Sequence, residues 1–361
     1  MAFEALEELL PEFGKRERAD PENYPVANVT ELHRAGVLCA PFPAELGGEG
    51  CTLAESVAAI ELMATVSPST ALVASMPLGL AGVFGTGAEA APPEHREGWR
   101  RQIEWAAEQY RAGRLFAACN SEKGAGGSLA ATKTTAARDQ TGVFRLTGEK
   151  ILASSGKYAD YFFSTAKTDP AELPGCGIVE FFLVPSSAPG VAIAEDWDGF
   201  GMRSTESQTV VYSGAAAQAL LGFPNFLAVV GPLQYWFCLF AAIPLGCVRA
   251  ILDELSTPAP QSPALRLRFA EATMRYEAMR AYLQETAAAW RPGAGAGFAA
   301  RVLRTKTYVT QEATKLGAEL FALGGGRHYR RDGRVARLLA DSFAGTALRP
   351  PLALALDALI E

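Results

Sequence analysis

The spacing of apolar residues divides the chain into three stretches with different predicted secondary structure. In residues 1–115 apolar side chains recur every three or four positions, as at Leu6, Leu10 and Phe13, a spacing typical of amphipathic helices. Thr52 and Glu55 have the residue types and spacing of a capping box at a helix start. We therefore predict an N-terminal all-helical domain over residues 1–115.

Residues 116–214 change to short runs of β-branched and aromatic residues, separated by Gly, Pro, Asp and Ser. The clearest runs are 158–165, 178–184, 191–194 and 208–212. Such runs are typical of strands, and their close spacing favours a small barrel or sandwich. We predict a middle antiparallel β domain over residues 116–214.

Helical spacing returns after residue 214. The predicted helices cover residues 233–255, 263–290, 298–323 and 334–343 or beyond. These helices form a predicted C-terminal helical bundle over residues 215–361. The fold class is therefore α+β, with a β domain between two helical domains.

The helix predicted at 233–255 lies within a stretch, residues 215–248, that carries no charged residue. About 20 apolar residues are enough to cross a bilayer. Pro232 and Pro244 interrupt this stretch, no cluster of positive charge flanks it, and an amphipathic pattern follows from Arg249. We interpret it as a core or subunit-interface helix, not a membrane span, and we expect a homodimer or homotetramer.

Composition and charge exclude several other classes of protein. The net charge of −6 and the lack of a basic run argue against a nucleic-acid partner. The six cysteines form no Cys-x-x-Cys pair and the three histidines are scattered, so we predict no metal site and no disulfide framework. The N-terminus shows no secretion signal, and the expected location is the cytoplasm.

Two segments of the middle domain combine extended residues with glycines and short hydroxyl side chains. They read Ser121-Glu122-Lys123-Gly124-Ala125-Gly126-Gly127-Ser128 and Gly148-Glu149-Lys150-Ile151-Leu152-Ala153-Ser154-Ser155-Gly156. A sheet that brings Ser121, Ser154 and Ser155 together would offer hydroxyls and backbone N–H groups to a flat ring with polar edges. The isoalloxazine ring of a flavin has this character.

With these two segments the chain resembles the acyl-CoA dehydrogenase superfamily, whose motifs occur here in the family's order. The resemblance implies that the cofactor is FAD. In the family, residues at the positions of Ser121 and Ser154 serve as donors to the pyrimidine edge and to N5 of the ring. The family often has an aromatic residue at the position of Leu152, in the segment that includes Ser155, and a leucine there can still pack against the ring. The resemblance also implies that a turn of three glycines approaches the adenosine half of FAD. These glycines are Gly324, Gly325 and Gly326.

The same resemblance points to a substrate pocket for a small molecule or an acyl thioester. Gly127 and Ser128 occupy the positions that contact a CoA thioester in the family, although the family has Ser-Asp there. Tyr235 and Trp236 are expected to supply an aromatic wall. The family's arginine that pairs with the FAD pyrophosphate has no counterpart in residues 256–263.

A further departure concerns the general base. Desaturation of an acyl thioester requires a carboxylate that removes the α-proton. The positions that carry this glutamate in the family correspond here to Ala344, to Arg349 or to Trp236, none of which is a carboxylate. The carboxylates nearest in sequence are Asp341, Asp253 and Glu254.

Three functions follow from these departures. The first is a flavoenzyme of this fold that is not a standard desaturase, such as a monooxygenase that uses reduced flavin and O₂ with a flavin reductase or another electron-transfer partner. The second is a dehydrogenase of CoA or carrier-protein thioesters with a relocated base. The third is a non-catalytic subunit or binding protein of the same fold.

Overall fold

The N-terminal part of the chain is helical, as predicted. In a computed structural model, which describes residues 2–360, the helices are α1 (Ala2–Ala19), α2 (Val26–Arg34), α3 (Leu53–Ala64), α4 (Pro68–Phe84) and α5 (Arg96–Arg111). α3 begins at the predicted capping box, in which the Thr52 hydroxyl accepts from Glu55 N and the Glu55 carboxylate accepts from Thr52 N. Every residue of α4 is buried, so this helix lies at the centre of the domain.

The middle part forms two four-stranded sheets. The strands are β1 (Phe116–Ala118), β2 (Thr135–Arg138), β3 (Phe144–Ala153), β4 (Tyr161–Ala166), β5 (Glu180–Pro185), β6 (Val191–Ile193), β7 (Gln208–Ala216) and β8 (Ala219–Leu220). The strand orders are β1-β4-β5-β8 and β2-β3-β7-β6. The expectation of an antiparallel domain needs one correction, because β1 pairs with β4 in parallel. β8 also lies beyond the predicted domain boundary at residue 214.

The C-terminal part is a helical bundle around one central helix. Its helices are α6 (Phe226–Val230), α7 (Leu233–Ser256), α8 (Pro263–Ala288), α9 (Gly295–Leu323), α10 (Arg334–Ser342), α11 (Ala344–Ala347) and α12 (Leu352–Ile360). α7 packs against α3, α4, α8, α9 and α10. It is long and apolar enough to span a membrane, yet 89% of its most apolar window is buried inside the fold. The interpretation of α7 as a core helix is confirmed.

Two glycines in α4 determine how closely α4 and α7 approach each other. A Cβ atom at Gly79 would overlap the indole ring of Trp236, and a Cβ atom at Gly82 would overlap the phenol ring of Tyr235. Each ring of α7 therefore fills the space left by a missing side chain of α4. This packing fixes Trp236 at the junction of the helical domains and the β domain, where its ring stacks on Phe163 of β4.

Candidate functional site

A cavity of about 290 Å³ lies where the three parts of the chain meet, and we refer to it as the central cavity. Its walls come from α4, the chain after β1, the end of β3, α7 and residues 340–349. The wall is mostly apolar and aromatic. Its hydroxyl, amide and charged side chains are Asn120, Ser121, Ser154, Ser207 and Arg349. Among residues 2–360, no aspartate or glutamate lines the cavity.

The two motif segments lie side by side next to this cavity. The backbone N–H of Ile151 donates to the carbonyl of Ser121 at 2.8 Å. A buried ion pair joins the neighbouring residues of the two segments, with Lys150 Nζ 2.6 Å from Glu122 Oε1. Burial alone would raise the pKa of Glu122, but hydrogen bonds from Lys150 and from Lys133 N and Thr134 hold it well below its usual range. Loss of either charge would leave the other buried and unpaired, at a cost of about 3–5 kcal/mol.

A β-bulge near the end of β3 directs Leu152 towards the cavity. The register between β3 and β7 shifts between Lys150 and Ala153, and Leu152 has a φ of 58°. A positive φ is unfavourable for a leucine, and such backbone strain is concentrated at functional sites. The Leu152 side chain is 52% exposed and lines the cavity. It therefore offers an apolar surface against which a flat ring could pack.

A chain of hydroxyl groups sets the polarity of Ser154. The Thr205 hydroxyl donates to the Met202 carbonyl at 2.9 Å, which uses its single proton. Ser207 Oγ lies 2.7 Å from Thr205 Oγ1 and must donate to it. Ser154 Oγ, 2.9 Å from Ser207 Oγ, in turn donates to Ser207. In this arrangement of protons Ser154 offers the cavity an acceptor, and the donor role towards N5 that the family resemblance implies stays a prediction.

The structure brings six of the predicted site residues to the cavity and leaves others outside it. Those that line the cavity are Ser121, Leu152, Ser154, Trp236, Ala344 and Arg349. Ser155 is buried behind the cavity wall, and its hydroxyl oxygen accepts from the Tyr24 hydroxyl at 2.9 Å. Tyr235 is fully buried on another face of α7, 3.2 Å from the Ser56 hydroxyl, so its assignment to the substrate pocket is corrected.

The predicted glycine-rich elements also lie away from the cavity wall. A Cβ atom at Gly127 would overlap the ring of Pro351, so this residue and Ser128 belong to a turn that packs against the segment before α12. The turn formed by Gly324, Gly325 and Gly326 follows the end of α9. Open space surrounds the Cα atoms of the last two. Any contact of this turn with an adenosine group stays a prediction.

Within the described residues 2–360, Arg349 is the single charged residue in the wall of the cavity. Its Nη2 donates to the Asn120 carbonyl at 3.0 Å, while its Nε is buried without a partner. Burial lowers the pKa of its guanidinium group. The carbonyls of Leu348 and Pro350 both accept from the buried Lys306 Nζ, at 2.8 and 2.7 Å, so Lys306 holds Arg349 in place from either side.

None of the three candidate replacement bases reaches the cavity. Asp341 points the other way, where its Oδ1 accepts from Met202 N at 2.6 Å, and it lines a neighbouring polar cleft. Glu254 pairs with Arg334 at the surface, and Asp253 pairs with Arg249. The relocation of the base to one of these residues therefore has no support in the geometry.

Sequence reasoning missed several residues of the cavity wall. Trp197, Phe200 and Phe343 line the cavity from loops and helix ends, and Asn120 and Ser207 supply polar atoms. The one local signal was an aromatic residue within an acidic loop, because Trp197 lies between Asp196 and Asp198. Binding residues are often carried on loops, and Trp197 is half-buried in this one.

The residues of the central cavity fit a flavin ring. The wall combines aromatic and aliphatic side chains with the Ser121 and Ser154 hydroxyls on one side, and Leu152 projects from a strained backbone. Apolar walls with a few fixed polar groups are the usual composition of cofactor sites. Ser121, Leu152 and Ser154 are therefore the residues that would hold the ring.

Comparison with known proteins agrees with this architecture. Models of the acyl-CoA dehydrogenase N-terminal, middle and C-terminal domains match residues 4–99, 117–215 and 252–348. The chain is 22% identical to a probable acyl-CoA dehydrogenase, YngJ, of Bacillus subtilis in an alignment of length 360, which covers 93% of this chain and 91% of that protein. It is 29% identical over 197 residues to L-evernosamine nitrososynthase of a Micromonospora species, which is 54% of this chain and 44% of the nitrososynthase.

Solved structures show the same fold. KijD3 in complex with FMN and a dTDP-linked amino sugar superposes with a TM-score of 0.85 at 23% identity, over 99% of this chain and 93% of KijD3. The dibenzothiophene monooxygenase TdsC of Paenibacillus sp. A11-2 superposes with a TM-score of 0.80 at 22% identity, over 99% of this chain and 95% of TdsC. The predicted family and fold class are confirmed, and the chain belongs to the acyl-CoA dehydrogenase superfamily.

Proposed function

We propose that this protein is a flavin-dependent oxidoreductase that uses reduced flavin and O₂ as a monooxygenase and does not desaturate acyl thioesters. The flavin ring occupies the central cavity against Ser121, Leu152 and Ser154. The observation that carries the proposal is that no carboxylate lines the cavity within residues 2–360.

The absent carboxylate argues against desaturation on chemical grounds. Removal of an α-proton needs a base within hydrogen-bond reach of the substrate, and a general base contributes about 10²–10⁴-fold to the rate. Within residues 2–360, the one charged group in the wall is Arg349, a cation that cannot accept a proton. An acyl thioester in this cavity would find no group to accept its proton.

Two features of the cavity and the names of two relatives support oxygen chemistry. A bound flavin supplies two-electron redox chemistry and, when reduced, reacts with O₂. Ser154 presents an acceptor, which suits the N5–H group that only the reduced ring carries. The aromatic wall of Phe163, Phe181 and Trp236 keeps water from the reacting centre. TdsC, a relative in fold, is named as a monooxygenase, and the relative from Micromonospora as a nitrososynthase.

The form of the flavin is FAD in our proposal, as the motifs imply. Its adenosine half would lie near Gly324, Gly325 and Gly326, where no side chain blocks the last two. KijD3 and TdsC have been solved with FMN bound, which lacks that half. Mass spectrometry of the flavin released from the purified protein distinguishes the two, and FMN would overturn the assignment of the glycine turn.

The remaining partners follow from this chemistry. A monooxygenase of this kind needs an electron donor, so a flavin reductase or another electron-transfer partner supplies reduced flavin. The substrate is a small molecule that enters beside Trp236 and Phe343. The protein works as a homodimer or homotetramer in the cytoplasm.

The decisive experiment compares two ways to reduce the flavin. The yellow purified protein is mixed without oxygen with a panel of acyl-CoAs, and separately with NAD(P)H and a flavin reductase. We expect loss of flavin absorbance in the second mixture alone, followed by rapid reoxidation when O₂ is admitted. Bleaching by an acyl-CoA would instead establish the thioester dehydrogenase, and a protein that binds no flavin would establish the non-catalytic alternative.

A further inference from the structure

Arg349 places an unbalanced positive charge in an apolar cavity. Of its hydrogen-bond donors, Nη2 is used on the Asn120 carbonyl and Nε is buried without a partner. No carboxylate from residues 2–360 lines the same cavity. A buried cation without a counter-ion is costly, and proteins normally pair such a group.

The nearest carboxylate is already neutralised. Glu122 lies in the adjacent motif segment, but its Oε1 accepts from Lys150 Nζ at 2.6 Å and from the Thr134 hydroxyl at 2.7 Å, and its Oε2 accepts from Lys133 N at 2.6 Å. The pair formed by Glu122 and Lys150 is electrically neutral as a unit. Burial lowers the pKa of the Arg349 guanidinium group and the attraction of Glu122 raises it in part, but within residues 2–360 no carboxylate is paired with Arg349 itself.

A second cation lies behind Arg349 and also lacks a carboxylate partner among the groups that it contacts. The Lys306 ammonium donates to the carbonyls of Leu348 and Pro350, the residues on either side of Arg349. Burial lowers the pKa of Lys306 to about 7. This arrangement fixes the backbone at Arg349, so that the guanidinium group stays in the cavity wall instead of turning to solvent.

We propose that the substrate carries a carboxylate that binds to Arg349. This inference rests on the proposed function, because it takes the central cavity as the substrate site. Arg349 is one of the three positions, with Ala344 and Trp236, to which the family resemblance assigns the catalytic glutamate, and it carries a positive charge instead of a carboxylate. Arg349 is a specificity-determining residue, since a guanidinium group binds a carboxylate through two parallel hydrogen bonds.

The rest of the wall limits the body of this acid. Phe163, Phe181, Trp236, Phe237 and Phe240 form an aromatic surface. The cavity, about 290 Å³ in volume, has to accommodate the flavin ring as well. A small aromatic or branched aliphatic carboxylic acid meets both conditions, whereas the CoA thioester of a simple monocarboxylic acid has no free carboxylate to offer Arg349.

The test uses matched pairs of probes that differ in charge alone. Phenylacetate is compared with phenylacetamide, and 4-phenylbutyrate with its amide, by calorimetric titration of the full chain freed of flavin. Quenching of Trp197 and Trp236 fluorescence reports the same binding, because both rings line the cavity. We expect each acid to bind at least tenfold more tightly than its amide.

The variants identify the group responsible. Arg349→Met abolishes the preference for the acid, and Arg349→Lys restores part of it, because the charge returns without the paired donors. Arg100→Met is the matched control, since it removes an exposed arginine of α5 that pairs with Glu97. Circular dichroism of each variant verifies that it is folded. If Arg349→Met does not fold, the affinity of Arg349→Lys for acid and amide tests the inference instead.

Two results would overturn the inference. One is equal affinity of the wild-type protein for acid and amide. The other is that Arg349→Met keeps the preference for the acid but has a lower flavin reduction potential. Arg349 would then stabilise the reduced flavin instead of binding the substrate. Because the titrations use flavin-free protein, a failure to bind flavin would contradict the proposed function without affecting this result.

Discussion

At the scale of single residues, the hydroxyl chain that ends at Ser154 gives a direct expectation for the flavin. Ser207→Ala removes the group to which Ser154 donates, so the Ser154 proton becomes available to the cavity. A donor at this position stabilises oxidised flavin, whose N5 is an acceptor. One hydrogen bond contributes about 1 kcal/mol, which corresponds to a fall of about 20 mV in a two-electron potential.

Equilibration with reference dyes measures this potential. Ser213→Ala is the matched control, because Ser213 is exposed on β7, away from the cavity. An unchanged or higher potential in Ser207→Ala would show that Ser154 does not face the flavin as an acceptor.

A second expectation at this scale concerns Asp341 and pH. Burial raises the pKa of Asp341 to about 6, although Met202 N donates to it and Arg337 and Arg203 lie nearby. The folded protein therefore binds this proton more tightly than the unfolded chain does. The free energy of unfolding should fall as pH rises from about 4 to about 6, by on the order of 3 kcal/mol from this residue.

Asp341→Asn retains an oxygen that accepts from Met202 N and removes the charge, so it should flatten this part of the pH profile. Urea unfolding between pH 4 and pH 7 measures the slope. Burial also raises the pKa of Glu17, to about 7. In Asp341→Asn the free energy of unfolding should therefore still fall with rising pH by the contribution of Glu17. Asp253→Asn, at an exposed carboxylate of α7, should leave the profile as in the wild type, and an Asp341→Asn profile identical to that of the wild type would refute the account.

At the scale of secondary-structure elements, the sequence predicts helices well because each carries its own periodic pattern. The helix expected at 233–255 is observed as Leu233–Ser256, and that expected at 298–323 as Gly295–Leu323. The bulge at the end of β3 was not predictable. Its geometry depends on hydrogen bonds with Ser121 and Thr205, which are distant in sequence, and no local pattern records them.

The close contact between α4 and α7 predicts that a larger residue at Gly79 lowers stability. Gly79→Ala places a methyl group inside the indole of Trp236, so α7 must shift or the ring must leave the cavity wall. We expect a loss of about 1–3 kcal/mol of stability. Because the ring lines the cavity, the fluorescence response of Trp236 to ligands should also change.

Thermal unfolding and the probe titration described above measure both effects. Gly98→Ala is the matched control, since Gly98 lies in α5 and a Cβ atom there meets no neighbour within 4 Å. It should be neutral or stabilising by about 0.5–1 kcal/mol, because alanine favours the helix. Equal stability of the two variants would contradict the tight packing of α7 on α4.

At the scale of the whole molecule, the sequence motifs predicted some residues of the cavity wall, and the others come together only when the chain folds. Ser121 and Ser154 were found because each lies in a recognisable segment. Trp197, Phe343 and Ser207 were not, because they reach the cavity only after sheets and helices pack together. That no carboxylate of residues 2–360 lines the wall is likewise a property of the assembled fold, since carboxylates such as Asp341 are close in sequence but face elsewhere.

The expected homo-oligomer needs a different surface from the one that the sequence suggested. α7 is buried within a single chain, so it cannot form the interface. Leu267 and Met274 lie seven residues, or about two turns, apart on α8 and are 61% and 62% exposed. Tyr308 of α9 lies beside Met274 and is 48% exposed. Side chains seven residues apart share one face of a helix, and an exposed apolar face of this kind favours contact with a second copy.

The double variant Leu267→Glu with Met274→Glu places two negative charges on this face, and the copies should then separate. Sedimentation equilibrium should give a multiple of 38.3 kDa for the wild type and the single-chain mass for the variant. Val26→Glu, which charges an exposed apolar residue of α2, is the control and should remain associated. A wild-type protein that sediments as a monomer would contradict the predicted assembly, and an associated double variant would place the interface on another face.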